Sequence, residues 1–137
     1  MKILSLIMVL TLIAFGCSGG EADGPEKYTL SGKVTFAGKP VPVGEIILEP
    51  DSTKGNSGPA SVAVIKQGEY FTESGKGIIG GPYIVRISGN DGVSVTLPDG
   101  MQLPEGKQLF GSYETKIELA KEKTTQDFEV PATGAKK

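Results

Sequence analysis

The chain contains no histidine and no tryptophan, and it has a single cysteine among its 137 residues. Without histidine, the side chain that most often exchanges protons near neutral pH is missing. Zinc and copper sites made of histidine and cysteine lack their ligands. One cysteine also excludes an intrachain disulfide, so the hydrophobic core has to stabilise the fold alone. These absences predict a protein with no catalytic residues, no cofactor and no metal site.

The only cysteine, Cys17, follows a start that is typical of secreted proteins. Lys2 supplies a positive charge, residues 3–15 form an apolar run, and Gly16 precedes Cys17. This layout resembles a bacterial lipoprotein signal. The resemblance implies cleavage before Cys17, diacylglycerol on its thiol, and acylation of the new amino group, typically with palmitate.

Two other interpretations of the start stay open. An ordinary cleaved signal would leave Cys17 as a free thiol, and an uncleaved segment would be an anchor helix. The apolar run has 13 residues, whereas a helix that spans a bilayer needs about 20. We therefore expect a cleaved signal peptide over residues 1–16 and a lipid on Cys17.

The remaining residues divide into a tether, one domain and a tail. Residues 17–27 hold the lipidated cysteine and a Gly-rich, charged stretch, which we expect to be a flexible tether. The ten residues after Cys17 would span about 17–19 Å. Residues 28–131 are predicted to form one β-sandwich domain, and residues 132–137 a tail. After cleavage, 13 basic and 16 acidic residues remain, and this mild negative charge argues against binding to nucleic acid.

Seven short segments with alternating polarity, separated by turn residues, predict an all-β antiparallel sandwich or barrel. Gly32 lies on the apolar side of the first segment, where it would mark a bulge or a close contact. The apolar positions predict five core residues: Leu30, Val34, Ile87, Ile117 and Phe128. The seven predicted strands cover residues 28–36, 45–49, 61–66, 69–74, 83–88, 113–119 and 126–130.

Three stretches carry a family resemblance: residues 31–36 (SGKVTF), residues 38–44 (GKPVPVG) and residues 80–87 (GGPYIVRI). They resemble carboxypeptidase regulatory-like, or transthyretin-like, domains, and the chain is most similar to small lipoproteins of planctomycete-type bacteria. The resemblance implies a seven-stranded antiparallel β-sandwich and a non-catalytic module. The related enzymes that hydrolyse 5-hydroxyisourate use histidines, and this chain has none.

Other stretches suggest chemistry but fit ordinary structure better. Glu45 and Glu49 lie on one side of a predicted strand, roughly 13 Å apart, which is wider than the ~5–9.5 Å between the two carboxyl groups of a glycosidase. Residues 51–56 and 90–92 offer oxygen ligands without the spacing of a calcium loop. Residues 75–81 are rich in glycine but lack the full phosphate-loop pattern.

Residues 89–112 interrupt the strand pattern, because they are rich in glycine and proline and carry apolar residues outside any clear strand. Four of these residues are the candidates for a partner-binding loop: Met101, Leu103, Leu109 and Phe110. They would either pack as a flap on the sandwich or wait for a partner. We expect this segment to be mobile. Another candidate function, a weak hydrolase, would use the same loop.

The sequence as a whole predicts a lipid-anchored module of the cell envelope. Its β-sandwich would bind an envelope protein or a glycan, or serve a structural role. Ser18 follows Cys17 where an aspartate would favour retention in the inner membrane, so the outer membrane is favoured, with the domain facing the periplasm or the exterior. The oligomeric state stays open.

Overall fold

The structure, a computed structural model, describes residues 24–132. The predicted signal peptide, Cys17, the first part of the tether and residues 133–137 lie outside the described residues. Among residues 24–132, no helix is long and apolar enough to cross a membrane. The strands are β1 (Leu30–Phe36), β2 (Lys39–Pro40), β3 (Val43–Pro50), β4 (Ser61–Lys66), β5 (Glu69–Phe71), β6 (Gly81–Asn90), β7 (Val95–Thr96), β8 (Gln102–Leu103), β9 (Gln108–Leu119), β10 (Thr124–Thr125) and β11 (Phe128–Val130).

The predicted all-β class is confirmed, and each of the seven predicted segments contains a strand. The only helical turn among the described residues is a 3-10 turn over Ser52–Lys54. Alternation in β4 is strict: Ser61, Ala63 and Ile65 are buried, whereas Val62 and Val64 are exposed. The β4–β5 connection is a two-residue turn at Gln67 and Gly68, with φ values of 51° and 79°. Two left-handed residues are typical of a tight hairpin.

Nine strands form one curled sheet, in the order β10, β1, β5, β4, β3, β6 and β9, with β2 and β11 also paired to β1. β7 and β8 form a separate small hairpin. Although β1 and β9 are far apart in this order, the rings of Phe36 and Phe110 lie 4.9 Å apart. The sheet therefore curls until its inner face packs against itself.

The expectation of purely antiparallel pairing is wrong at the end of the chain. β10 and β11 run parallel to β1, with Leu30 opposite Thr124 and Val34 opposite Phe128. Among residues 24–132, β9 pairs only with β6, on the far side of the sheet. The chain therefore has to cross from that edge to β1 through the turn after Leu119, and this reversal makes the last strands parallel to the first.

Four of the five predicted core residues, Leu30, Val34, Ile87 and Phe128, are buried. The fifth, Ile117, is only half-buried, although it packs against the core. It lies on β9, which has a neighbouring strand on one side only within residues 24–132. Its inward direction agrees with the sequence pattern, but its burial is lower because that pattern does not distinguish an edge strand from a central one.

Tyr70 and Phe71 confirm the alternation expected of adjacent aromatic residues in a strand. Tyr70 is buried, and its hydroxyl donates a hydrogen bond to the Gln126 carbonyl oxygen at 2.6 Å. Burial raises the pKa of the Tyr70 phenol. Phe71 points outward and is 67% exposed. This hydrogen bond ties β5 to the segment between β10 and β11 across β1.

Candidate binding cleft at the end of the sheet

An apolar cleft of about 340 Å³ lies where β1 ends and the segment after β6 begins. Apolar side chains line it on two sides, and Lys39 and Asp91 supply charge. Phe36 and Leu109 are half-buried, while Pro40 and Pro42 are exposed. The lining residues are Phe36, Ala37, Lys39, Pro40, Pro42, Asp91 and Leu109.

One wall of the cleft is fixed by the turn between β1 and β2. Ala37 and Gly38 both have positive φ values, 49° and 77°, so the chain reverses within two residues. Val41 is fully buried behind this turn, and its N–H donates to the Val34 carbonyl at 3.0 Å. The Gln67 N–H donates to the Pro42 carbonyl at 2.7 Å. These backbone bonds hold the two prolines at the surface.

The opposite wall depends on an irregular register between β6 and β9. The pairing shifts between Ile87 and Asn90, where Gly89 lies opposite Phe110. A β-carbon on Gly89 would lie 2.6 Å from a Val41 methyl carbon and 2.9 Å from the Phe110 ring. Phe110 therefore enters the core only because residue 89 is a glycine. With Phe110 in the core, the preceding residue Leu109 lies at the cleft.

Asp91 joins the two ends of the segment between β6 and β9 where that segment leaves the sheet. Its Oδ1 accepts hydrogen bonds from the N–H groups of Val93 at 2.9 Å and Lys107 at 3.0 Å. Gly106 is buried against this carboxylate, where any β-carbon would clash. Beyond this base, β7 and β8 form the small hairpin. The long loop predicted over residues 89–112 is therefore shorter than expected, since β6 extends to Asn90 and β9 begins at Gln108.

The four candidate loop residues lie in different environments. Phe110 belongs to the core, and Leu109 packs against it while lining the cleft. Leu103 is half-buried in β8, and Met101 is 58% exposed in the turn before it. They do not form one surface: Leu109 lines the cleft, Phe110 is not available to a partner, and the mobility of the segment stays a prediction.

Sequence reasoning missed the β1–β2 side of the cleft. The sequence pattern of residues 37–40 is that of a turn, and Pro40 and Pro42 are typical of an edge strand, so neither feature predicts a binding surface. The available signal was their sequence, in which a strand-end phenylalanine is followed closely by two prolines and few polar residues. Such a stretch is apolar without belonging to a core strand, so it indicates exposed apolar surface.

A second polar cluster, around Asp51, has a structural role. Asp51 is 1% exposed, and its Oδ1 accepts bonds from the Thr53 N–H at 3.1 Å and the Thr53 hydroxyl at 2.5 Å. These bonds cap the 3-10 turn, and Asn56 donates to the carbonyl oxygens of Gly80 and Pro82. The oxygen-rich stretch 51–56 thus fastens the β3–β4 loop to the start of β6.

The Thr53 hydroxyl is the main cause that lowers the pKa of Asp51 below its ordinary value of 3.8. A lowered pKa stabilises the fold above the ordinary value, and this stability is lost as the pH falls through the folded-state pKa. We expect Thr53→Val to unfold more easily at pH 7 and to lose less stability between pH 5 and pH 2 than wild type. Urea unfolding at several pH values measures both effects. Ser52→Ala, in the same turn, should retain the wild-type pH profile; a changed profile there, or an unchanged one in Thr53→Val, would contradict the assignment.

Three charged side chains on the outer face of the sheet form one ion-pair cluster around Arg86. Arg86 donates to Glu49 at 2.5 Å and to Glu114 at 3.1 Å. Glu49 is therefore the ion-pair partner of an arginine. Among residues 24–132, no three acidic, histidine or cysteine side chains are grouped closely enough to hold a metal ion.

Comparison with known proteins adds no relative. No family model matches the chain, and no curated protein or solved structure is significantly similar to it.

Proposed function

We propose that this protein is a lipid-anchored, non-catalytic binding module of the bacterial cell envelope. In this proposal Cys17 carries diacylglycerol after cleavage of residues 1–16, and residues 17–27 tether the domain to a membrane, with the outer membrane favoured. The domain is a seven-stranded β-sandwich of the carboxypeptidase regulatory-like kind. Its ligand is an envelope protein or a glycan, held in the cleft lined by Phe36, Pro42 and Leu109.

The observation that carries the proposal is the position of the cleft relative to the tether. The chain enters the domain at Tyr28, which pairs with Ile78, and at Leu30, which pairs with Thr124. β1 then runs to Phe36, which lines the cleft. Seven strand residues cover about 23 Å, so the cleft lies at the end of β1 opposite the one where the chain enters the sheet. An anchor on Cys17 would leave this end free to meet a partner.

The chemistry of the cleft supports binding rather than catalysis. Binding sites are mostly apolar clefts with a few polar groups that orient the ligand. Here the apolar surface comes from a phenylalanine, two prolines and a leucine, while Lys39 and Asp91 supply opposite charges. Asp91 already accepts two backbone hydrogen bonds through Oδ1, so its role in the fold is structural as well.

We expect Cys17→Ala to abolish membrane attachment, because the thiol is the proposed site of the lipid. Cell fractionation and flotation compare the variant with wild type, and mass spectrometry measures the lipid on the wild-type N-terminal peptide. A variant that still floats with membranes, together with an unmodified wild-type peptide, would contradict the anchor.

The same membrane preparations test the cleft. Leu109→Ser removes apolar contact and Lys39→Glu reverses the charge, while Lys66→Glu makes the same charge change outside the cleft. Capture of envelope proteins and of purified envelope glycans should fall in both cleft variants and persist in Lys66→Glu. Equal capture by all four proteins would show that the cleft does not bind the ligand.

A further inference from the structure

β9 has a free backbone edge along most of its length. This 12-residue strand, the longest in the described part of the chain, is the last strand in the sheet order and pairs only with β6. Its other side faces no strand among residues 24–132. Unpaired N–H and C=O groups along a strand form a template on which another strand can add.

The backbone N–H and C=O groups that point toward this free edge belong to Glu114, Lys116 and Glu118. The Pro82 carbonyl accepts a hydrogen bond from the Asp51 N–H at 2.9 Å, so the Pro82 backbone points toward β3 and away from β9. Pro82 lies opposite Glu118. Because backbone groups point alternately to either side of a strand, Glu118, Lys116 and Glu114 direct their own groups away from β6.

The inner face of β9 lacks one common protection of an edge strand, an inward-pointing charge. Natural edges are shielded by proline, by charged side chains, by bulges, by inward-pointing charges or by a covering loop, and the charged side chains of β9 all lie on its exposed outer face. β9 contains no proline, and Tyr113, Thr115 and Ile117 on its inner face are uncharged and half-buried. Their neighbours on β6, including Tyr83 and Val85, are buried. The inner face of β9 thus has apolar surface that a further strand would cover.

We propose that this edge pairs antiparallel with the same edge of a second copy of the chain, about a twofold axis at Thr115. In this register Glu114 lies opposite Lys116 of the second copy, and Tyr113 lies opposite Ile117 of the second copy. Twofold symmetry repeats each pair. The outer face gains two opposite-charge contacts and the inner face gains two aromatic–β-branched pairs, both of which are favourable across strands. Within its own chain Glu114 also binds Arg86, and the Lys116 ammonium lies 3.9 Å from the Asp51 carboxylate, so the new contacts add to existing ion pairs.

Neighbouring registers are less favourable. A shift of two residues in one direction places Lys116 opposite its own copy and Glu114 opposite Glu118. The same shift in the other direction places Glu114 opposite its own copy. Like charges directly opposite each other are destabilising. A shift of one residue is excluded. It would place the unpaired backbone N–H and C=O groups of one copy opposite residues of the other copy whose backbone groups already bond to β6.

Disulfide trapping in the full chain, in isolated membranes, tests the register. Thr115→Cys would place two thiols opposite each other with β-carbons about 4.5–5.5 Å apart, which a disulfide can join with small adjustment. Ser112→Cys is the matched control, because it keeps both charges and its two copies would lie six residues apart along the paired strands, about 20 Å. We expect mild oxidation to give mostly dimer with Thr115→Cys and little with Ser112→Cys. Equal yields would overturn the proposal.

Two further changes in the Thr115→Cys background test the pairing itself. Lys116→Pro removes an N–H that faces the free edge and keeps every bond to β6, so the domain should fold and the dimer should be lost. Glu114→Lys places like charges opposite each other twice, which should lower the yield roughly tenfold. The double change Glu114→Lys with Lys116→Glu should restore it. An undiminished yield with Lys116→Pro, or no recovery in the double change, would overturn the proposal.

Cys17 separates this inference from the proposed function. A disulfide dimer in the parent chain, without any added cysteine, would show a free Cys17 thiol and would contradict the lipid anchor. The pairing would then be measured by the additional dimer that Thr115→Cys forms in a Cys17→Ser chain. Failure of the anchor and failure of the β9 pairing therefore give different results.

Discussion

Phe128→Ala is expected to destabilise the domain by about 3–5 kcal/mol, because removal of a buried aromatic ring leaves a cavity. Phe128 is 5% exposed, and its ring lies 5.9 Å from that of Tyr70. It belongs to β11, a strand of only three residues held by parallel pairing with β1. The total free energy of unfolding of a small domain is only about 5–15 kcal/mol. Thermal unfolding of residues 18–137 should therefore shift to a much lower temperature.

Phe71→Ala provides the control for this prediction. It removes the same side chain from a strand of the same sheet, but Phe71 is 67% exposed and leaves no cavity. Its melting temperature should stay within a few degrees of wild type. If Phe128→Ala melted like Phe71→Ala, the Phe128 side chain would not be in the core and the pairing of β11 with β1 would be shifted by one residue.

Gly32→Ala is expected to detach the end of the chain from β1. A β-carbon at position 32 would lie 1.9 Å from the Gln126 carbonyl oxygen and 2.6 Å from its carbon. Both atoms are backbone, so the clash cannot be relieved by a side-chain rotation. Overpacking of this kind typically costs about 1–3 kcal/mol, occasionally more, and we expect the upper end because the Tyr70 hydrogen bond to the same oxygen is disturbed as well.

Hydrogen exchange measures this effect directly. In Gly32→Ala the amides of β10 and β11 should exchange much faster, while those of β3, β4 and β6 stay protected. Gly24→Ala is the matched control, since a β-carbon there has no atom within 4 Å. Unchanged protection of residues 124–130 in Gly32→Ala would contradict the close contact.

The period-two pattern predicted the fold class because it reflects which face of each strand is buried. Gly32 could also be identified as a close-contact point, since a glycine on the apolar side of a strand removes a side chain from the core. The pattern could not reveal that the contact is with Gln126. That partner comes from a segment more than 90 residues away, and sequence alternation contains no information about which strands are neighbours.

The cleft was harder to predict, and the reason lies in Gly89 and Phe110. Residues 109 and 110 do not continue the alternating pattern of the segment 113–119, so the sequence predicts that they belong to a long loop. The register shift opposite Gly89 adds those residues to β9 and turns Phe110 into the core. This shift requires a residue without a side chain at position 89, because Val41 and Phe110 leave no space for a β-carbon there. The local sequence pattern cannot predict such a contact between distant residues.

The parallel pairing of β1 with β10 and β11 has a consequence for the order of folding. A ribosome releases the chain from its N-terminus, so β1 emerges long before the strands that complete its second edge. β3, β4 and β6 can already pair through connections that are much shorter. Contacts that join distant parts of a chain form late because they require closure of a large loop. The domain therefore stays open along β1 until residue 130 is available, and a chain that ended before that point would leave this edge of its first strand unpaired.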